Sequence, residues 1–191
     1  MPIAGGGFLG WMDFSELDER AFASELTAGQ RRLLEEIALP KRRREFTFSR
    51  LAYNRMLALF TKAAPLDVFP KDAPHPPVRD EAGPWFTSLS HSHGVCAVAL
   101  ARVPVAVDIE RMRSRDFARL SRHLGFECEE GAEGSSRGFY AAWCARECRV
   151  KLDLPDACHT HVWEIALAGA TYCMVYATRE PAPVPSCLCL L

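Results

Sequence analysis

Two carboxylates separated by one residue stand directly after an apolar run near the middle of the chain. Residues 103–107 form the run, and Asp108 and Glu110 follow it on either side of Ile109. Because residues i and i+2 of an extended chain lie on one face, the carboxylates share a face and Ile109 points into the core. Such oxygen ligands favour magnesium, manganese or calcium over zinc. By itself, the pattern is more typical of a strand end that enters solvent.

A helix predicted over residues 139–152 offers a third carboxylate. Trp143, Glu147 and Lys151 recur at every fourth position, so they share one face of that helix. Glu147 is a candidate metal ligand, and Lys151, about one turn further on, is a candidate ligand of a phosphate oxygen. Viewed alone, Glu147 and Lys151 are more typical of a surface ion pair that stabilises a helix by about 0.2–0.5 kcal/mol.

A turn rich in hydroxyl and imidazole groups is predicted at residues 90–94, which read Ser-His-Ser-His-Gly. Its side-chain and backbone donors suit an anionic ligand. The nucleophile elbow GxSxG is absent from the sequence. His91 and His93 also offer nitrogen ligands to a metal, but no third nitrogen or sulfur ligand is evident nearby. A plain polar hairpin turn explains the segment equally simply.

The elements that carry these residues predict an α+β protein. Helices are predicted over residues 15–39, 46–61, 115–125 and 138–152, and strands over residues 85–91, 95–101, 103–109, 162–168 and 171–178. Residues 65–84 are expected to form a loop with short extended pieces, and residues 127–137 and 158–161 are expected to form loops. The tail 181–191 is expected to be irregular. Because each half offers both helices and strands, two α+β lobes are expected.

Composition excludes several classes of protein. The 191 residues suit one domain or two small ones, and the net charge of -1 disfavours a nucleic-acid coat or a membrane-surface protein. No apolar run is long enough to span a bilayer, and residues 1–12 lack the basic residues of a secretory signal. The eight cysteines form no CxxC pair, which disfavours a zinc ribbon. A reduced, cytoplasmic protein is expected.

Taken together and in this order, the three segments resemble the 4'-phosphopantetheinyl transferase superfamily. Residues 86–92, 107–111 and 139–151 are similar to the signatures SxSHS, GxDxE and WxxKExxxK of its monomeric, surfactin-synthetase-type branch. Residues 41–57 are similar to the basic helix of that family, in which an arginine corresponds to Arg50. The resemblance covers residues 40–152 well and both ends poorly.

The resemblance implies a fold of two similar lobes packed as a pseudo-dimer. Each lobe is then a small, mainly antiparallel sheet with helices, and coenzyme A binds in the cleft between the lobes. Residues 1–103 would form the N-terminal lobe with the basic helix and the Ser-His-Ser segment. Residues 104–191 would form the C-terminal lobe with Asp108, Glu110 and the helix that carries Glu147. A monomer is expected.

The resemblance also implies a reaction and the residues that perform it. The enzyme, of the holo-acyl-carrier-protein synthase type, would transfer 4'-phosphopantetheine from coenzyme A to a serine of an apo acyl or peptidyl carrier protein, releasing 3',5'-ADP. The carriers of fatty-acid, polyketide and nonribosomal-peptide synthesis all remain open. The metal, Mg²⁺ or alternatively Mn²⁺, would be held by Asp108, Glu110 and Glu147. Coenzyme A would contact Arg43, Arg50, Ser90, His91, Arg146 and Lys151.

Asp108, Glu147 and Lys151 would be the catalytic residues. The general base stays open between Glu147, a metal-bound water and Lys151 with a depressed pKa.

Several positions depart from the family pattern. Ala106 replaces a glycine, Arg146 replaces a lysine, and His75 stands where the family often has a lysine. The glycine-containing segment that follows Lys151 in the family is missing or shortened. These departures leave three alternatives: a non-catalytic module that binds coenzyme A or a carrier protein, a metal-dependent phosphohydrolase using the same carboxylates, and a purely structural domain.

Overall fold

The computed structural model describes residues 7–69, 75–124, 136–154, 158–167 and 169–190. The strands are β1 (Phe8–Asp13), β2 (Val78–Asp80), β3 (Gly83–Ser92), β4 (Val95–Ala101), β5 (Val105–Arg111), β6 (His159–Leu167), β7 (Ala170–Thr178) and β8 (Ser186–Cys189). The helices are α1 (Ala28–Glu35), α2 (Pro40–Phe60), α3 (Phe117–Leu124) and α4 (Ser136–Leu152), with a 3₁₀ helix at Glu19–Glu25. The predicted loop at 127–137 lies largely outside the described residues.

Two sheets pack face to face, and each carries a long helix on its outer side. The first sheet has the order β2-β3-β4-β1-β8, and the second has the order β5-β7-β6. All strand pairs are antiparallel except β1 with β8, which is parallel. The predicted α+β class with two small, mostly antiparallel sheets is therefore confirmed, and the arrangement is compatible with two lobes.

Three apolar clusters hold these four layers together. The first, with Phe48 and Leu100, lies between α2 and the first sheet. The second, with Ile109 and Tyr176, lies between the two sheets. The third, with Cys148, lies between the second sheet and α4. The two long helices are thus fixed on opposite outer faces, and the two inner sheet faces meet at the centre.

Helix α2 begins at Pro40, six residues earlier than the sequence predicts. Proline at the first helical position costs no hydrogen bond and has its φ angle already set for a helix. The preceding prediction of one helix over residues 15–39 is wrong in its first half. There the chain forms the 3₁₀ helix, and only α1 is regular, with Thr27 and Gln30 forming a reciprocal capping box.

Three strand segments were missed in the sequence. The glycine-rich start forms β1, and the tail expected to be irregular forms β8, which pairs with β1 in parallel. Residues 159–161, expected in a loop, begin β6. Strand β8 belongs to the C-terminal half of the chain yet extends the first sheet, and the division at residue 103 stays a prediction. Among the described residues, no helix has the length and apolar character needed to cross a membrane.

Candidate active site

The two carboxylates of the Asp-Ile-Glu segment lie on β5, the strand of the second sheet that faces β3. Ile109 is 1% exposed and belongs to the cluster between the sheets, so its predicted inward orientation is confirmed. Asp108 and Glu110 each accept a hydrogen bond from the Ser-His-Ser segment. Ser90 Oγ donates to Asp108 Oδ1 at 2.8 Å, and Ser92 Oγ donates to Glu110 Oε2 at 2.9 Å.

Helix α4 brings Lys151 to the same carboxylate. Lys151 Nζ donates to Asp108 Oδ1 and to the carbonyl oxygen of Val107, both at 2.8 Å. Burial acts to lower the pKa of Lys151, but Asp108, Cys148 and Glu147 together outweigh it and the pKa is raised. The ammonium is therefore charged at neutral pH in the free protein, which disfavours Lys151 as the general base.

The two carboxylate oxygens of Asp108 differ in their hydrogen bonding. Its side chain is 7% exposed, and Oδ1 receives both the Ser90 hydroxyl and the Lys151 ammonium. Oδ2 is buried and has no hydrogen-bond partner among the described residues. The Cys144 thiol lies near this carboxylate, but Cys144 Sγ donates to the Cys173 carbonyl at 3.9 Å. A buried carboxylate oxygen without a partner is costly and is a place where an ion or water is expected.

Glu110 sits in a repulsive environment. Burial raises its pKa first of all, and the charges of Asp108 and Glu147 raise it further, while Ser92 and Lys151 act in the opposite direction. The charge of Glu147 thus reaches Glu110 from α4, so the predicted carboxylate trio shares one electrostatic environment. Among the described residues, however, no three histidine, cysteine or acidic side chains are already arranged as a metal site.

Buried thiols help to fix α4 against the second sheet. Cys148 Sγ donates to the carbonyl oxygen of Val175 at 3.6 Å, and burial raises the pKa of this thiol. A thiol with a raised pKa is a packing group rather than a reactive one. The packing fixes where Glu147 and Lys151 emerge from the helix.

A cavity of about 830 Å³ opens on the other side of β3. It is lined by residues of α1, α2, β3 and the segments around Val68 and His75: Leu33, Glu36, Ile37, Arg42, Glu45, Phe46, Ser49, Arg50, Val68, Phe69, His75, Leu89 and His91. Alternate residues of β3 face either the cavity or the carboxylates of β5. Leu89 and His91 line the cavity, whereas Ser90 and Ser92 contact the carboxylates of β5.

Among the described residues that line this cavity, Arg50 is one of four charged ones, with Glu36, Arg42 and Glu45. Its guanidinium carbon lies 4.8 Å from the ring centre of Phe46 and 3.9 Å from that of Phe69. Burial lowers the pKa of Arg50 to about 10, so it remains charged at neutral pH. Its Nε is buried without a hydrogen-bond partner, and within the described residues no carboxylate forms an ion pair with it.

Two neutral histidines accompany Arg50 in the cavity. Burial and the charge of Arg50 lower the pKa of His75 to about 4, and His75 Nδ1 is buried without a partner in the described part of the chain. Burial also lowers the pKa of His91, against the opposing effect of Glu45. Unpaired donors and a desolvated cation in one cavity favour an anionic ligand.

The basic run 41–44 separates into different roles. Arg42 lines the cavity and bonds to Glu45 at 3.2 Å. Arg43, the predicted phosphate ligand, is not one of the lining residues; Arg43 Nη1 donates to the carbonyl oxygens of Leu34 at 2.6 Å and Ile37 at 3.2 Å. Arg44 donates to the carbonyls at Phe14 and Ser15. Arg146 lies half-buried on α4, next to Glu147.

The sequence prediction missed the aromatic pair around Arg50. Phe46 precedes Arg50 by one helical turn, and this spacing alone could have revealed the contact. Phe69 follows α2 in a segment without regular structure, and only the fold brings it to the guanidinium. Arg42 was within the basic run, but its helix face could not be assigned without the true start of α2.

Comparison with known proteins agrees with this part of the site. Residues 30–101 match the family model of the 4'-phosphopantetheinyl transferase N-terminal domain. The matched segment contains Arg50, His75 and His91 but ends before Asp108. A search of curated proteins found no matching relative. The similarity to that family therefore covers α2, the cavity and β3, and it does not extend to the carboxylates of β5.

Proposed function

We propose that this protein transfers 4'-phosphopantetheine from coenzyme A to a serine of an apo acyl or peptidyl carrier protein. The observation that carries the proposal is Arg50, a half-buried cation without a carboxylate partner among the described residues, in a cavity separated by one strand from a crowded set of carboxylates. A ligand with phosphates and a bound cation satisfies both regions at once. The family match is independent support.

Coenzyme A carries a 3'-phosphate and a pyrophosphate, so its site must neutralise several negative charges. In this proposal Arg50 and His91 bind phosphate oxygens, and Arg42 and His75 complete the cavity. A guanidinium provides directed donors to phosphate oxygens, and hydrogen bonds to an ionised group are among the strongest that proteins make. Arg43 is left out, because it does not line the cavity and its Nη1 is bonded to backbone carbonyls.

A divalent cation fits the opposite side of β3. Three carboxylates are the ligand type that Mg²⁺ and Mn²⁺ prefer, and Asp108 Oδ2 lacks a hydrogen-bond partner among the described residues. The pKa of Glu110 is raised by burial first and then by the charges of Asp108 and Glu147, and a cation relieves both costs. Asp108, Glu110 and Glu147 would hold the metal. When bound, it would neutralise the pyrophosphate and polarise the phosphorus under attack.

The remaining work is positioning and one proton transfer. The carrier serine attacks the phosphorus nearer the pantetheine, a new phosphorus–oxygen bond forms, and the bond to the departing 3',5'-ADP breaks. Lys151, charged and anchored on Asp108, offers its ammonium to the pyrophosphate. A base must accept the serine proton, and Glu147 is one candidate, because its charge acts on Glu110 and Lys151 in the same site.

Intact-mass spectrometry of apo carrier proteins tests the proposal. Fatty-acid, polyketide and nonribosomal-peptide carriers are incubated with the protein, coenzyme A and Mg²⁺, and a gain of one phosphopantetheine on a serine is expected. At coenzyme A concentrations that do not saturate the site, the gain is expected to be about 10–100-fold slower with Arg50→Met. It is expected to be unchanged with Arg20→Met, whose side chain is 87% exposed and lies outside the cavity.

The alternatives give different results in the same assay. Coenzyme A binding without any mass gain would identify a non-catalytic module and overturn the proposal. Release of phosphate or nucleotide without a carrier would identify a phosphohydrolase. Absence of both binding and mass gain would leave only the structural reading of these residues.

A further inference from the structure

Three serines at alternate positions of β3 join the two sheets through their hydroxyl groups. The amide of Val107 donates to Ser88 Oγ at 3.1 Å. Two residues further along each strand, the amide of Ile109 donates to Ser90 Oγ at 3.3 Å. The next pair repeats the contact, with the amide of Arg111 bonded to Ser92 Oγ at 3.2 Å. These three contacts are named the serine ladder.

The serine ladder supplies hydrogen-bond acceptors to backbone amides at an unpaired edge of β5. Strand β5 pairs with β7 on one side only, so alternate amides on its other edge need acceptors. Serine oxygens on β3 take the place of a neighbouring strand. Small neighbours allow the sheets to approach, because Ser88 and Ser90 stand beside Ala99 and Ala97 of β4 in the register of the first sheet.

Each hydroxyl that accepts an amide proton still has its own proton to donate. Ser90 and Ser92 donate that proton to the side chain of the residue just before the bonded amide. Ser90 bonds the amide of Ile109 and donates to Asp108, and Ser92 bonds the amide of Arg111 and donates to Glu110. The backbone contact therefore fixes the oxygen from which each carboxylate is held.

The first rung makes the same backbone contact without a carboxylate. Ser88 bonds the amide of Val107, and the residue that precedes Val107 is Ala106, whose methyl group accepts no hydrogen bond. Ser88 is also 4% exposed, so its contact with the Val107 amide is buried. The chain thus contains its own control for separating the structural role of the ladder from its effect on the carboxylates.

We infer that Ser90 and Ser92 are positioning residues, which hold Asp108 and Glu110 in the orientation that receives the divalent cation, while Ser88 only joins the sheets. The inference rests on the metal site of the proposed function. It gives Ser90 a role through Asp108, whereas the sequence analysis expected Ser90 to contact coenzyme A. Hydrogen bonds that orient metal ligands typically change metal affinity about 10–100-fold when they are removed.

Binding of Mn²⁺ to the full chain tests the inference without relying on turnover. The dissociation constant is measured from the paramagnetic resonance signal of free Mn²⁺, first alone and then with coenzyme A. Ser90→Ala and Ser92→Ala are each expected to weaken Mn²⁺ binding about 10–100-fold. Ser88→Ala is expected to keep the wild-type affinity, although all three variants lower the unfolding temperature in EDTA through the lost amide acceptor.

The conservative variants Ser90→Thr and Ser92→Thr restore a hydroxyl and are expected to bind Mn²⁺ better than the alanine variants. They also keep the comparison available if an alanine variant does not fold. Equal affinities for Ser88→Ala and Ser90→Ala, or threonine variants no better than alanine, would overturn the inference.

Failure of the proposed function gives a different pattern. Serine-dependent Mn²⁺ binding without transfer to any carrier would leave the inference standing and overturn the transferase. A wild-type protein that binds no Mn²⁺, alone or with coenzyme A, would overturn both the metal site and the inference.

Discussion

The two faces of β3 carry opposite electrostatic problems. On the face of His91, a cavity holds Arg50 as a half-buried cation with no carboxylate paired to it in the described chain. On the face of Ser90, carboxylates are crowded, and among the described residues Asp108 alone of them is paired with a cation. In the cavity, Arg50 lacks a counter-charge although Glu36 and Glu45 are also lining residues. On the other face, one cation, Lys151, is shared among several carboxylates. In the proposed function, a phosphate ligand that carries a divalent cation supplies what each face lacks.

A second contrast lies within the carboxylate pair itself. Asp108 is paired with Lys151, so its charge stabilises the fold. Glu110 has a raised pKa because burial and its acidic neighbours oppose ionisation. The ionised Asp108 is therefore expected to stabilise the fold, whereas the ionised Glu110 is expected to destabilise it. This difference can be measured.

The largest expected effect comes from breaking the buried ion pair. Asp108→Asn leaves the Lys151 ammonium, whose side chain is 30% exposed, without its counter-charge. The free energy of unfolding in EDTA is expected to fall by about 3 kcal/mol, at the lower end for buried pairs because Lys151 keeps some contact with solvent. Urea denaturation measures it, and the double variant Asp108→Asn/Lys151→Met should recover part of the loss. An unchanged unfolding midpoint would show that the pair does not stabilise the fold.

Removing the unpaired cation tests the opposite face of β3. Arg50→Met is expected to weaken coenzyme A binding about 10–100-fold, the value of one or two hydrogen bonds to a charged group. Arg55→Met is the matched control on the same helix, because Arg55 is paired with Glu25 and does not line the cavity. Isothermal titration calorimetry measures both. If Arg50 binds the 3'-phosphate, dephospho-coenzyme A should bind the wild type and Arg50→Met equally, and a persisting difference would assign Arg50 to the pyrophosphate.

Glu110→Gln is expected to stabilise the protein in the absence of metal, in contrast with Asp108→Asn. The folded-state pKa of Glu110 is raised, so the protonated form is favoured and stability is lost as pH rises through that pKa. At neutral pH the neutral variant is expected to unfold about 2–4 °C higher than wild type in EDTA, corresponding to roughly 1 kcal/mol. The gain should vanish below the unfolded-state pKa of glutamate. A lower unfolding temperature across the whole pH range would contradict the repulsion described here.

The smallest expected effect is proton uptake by the histidines of the cavity. The pKa of His75 is lowered to about 4 and that of His91 is also lowered, so both are neutral in the free protein at pH 7. A phosphate anion beside them raises their pKa, so protons are taken up on binding and affinity rises as pH falls. Calorimetry in buffers of different ionisation enthalpy measures the uptake. His75→Asn and His91→Asn should each reduce it, and zero uptake in the wild type below pH 7 would contradict the prediction.

Sequence reasoning succeeded where the physics is local. Alternation along an extended chain was enough to place Ile109 in the core, and helical spacing was enough to put Glu147 and Lys151 on one side of α4. The prediction that Arg43 contacts coenzyme A came from the resemblance alone. In the structure Arg43 bonds to backbone carbonyls, and Arg42 lines the cavity instead.

Contacts between elements were beyond local reasoning. The serine ladder depends on how β3 and β5 are aligned across two sheets, and no spacing within β3 reveals that alignment. Strand β8 forms because it can pair with the free edge of β1, although several prolines come just before it in the sequence. The position of Phe69 over Arg50 likewise follows from the fold rather than from the sequence near either residue.

The most direct test of the two-faced site is the dependence of coenzyme A affinity on Mg²⁺. Calorimetric titrations of the wild type, Arg50→Met and Glu110→Gln are made in Mg²⁺ and in EDTA. If one ligand occupies both faces of β3, Mg²⁺ tightens coenzyme A binding to the wild type and to Arg50→Met, and this gain is lost in Glu110→Gln. A coenzyme A affinity that is the same in Mg²⁺ and in EDTA for all three proteins would show that the carboxylates of β5 and the cavity do not serve a common ligand.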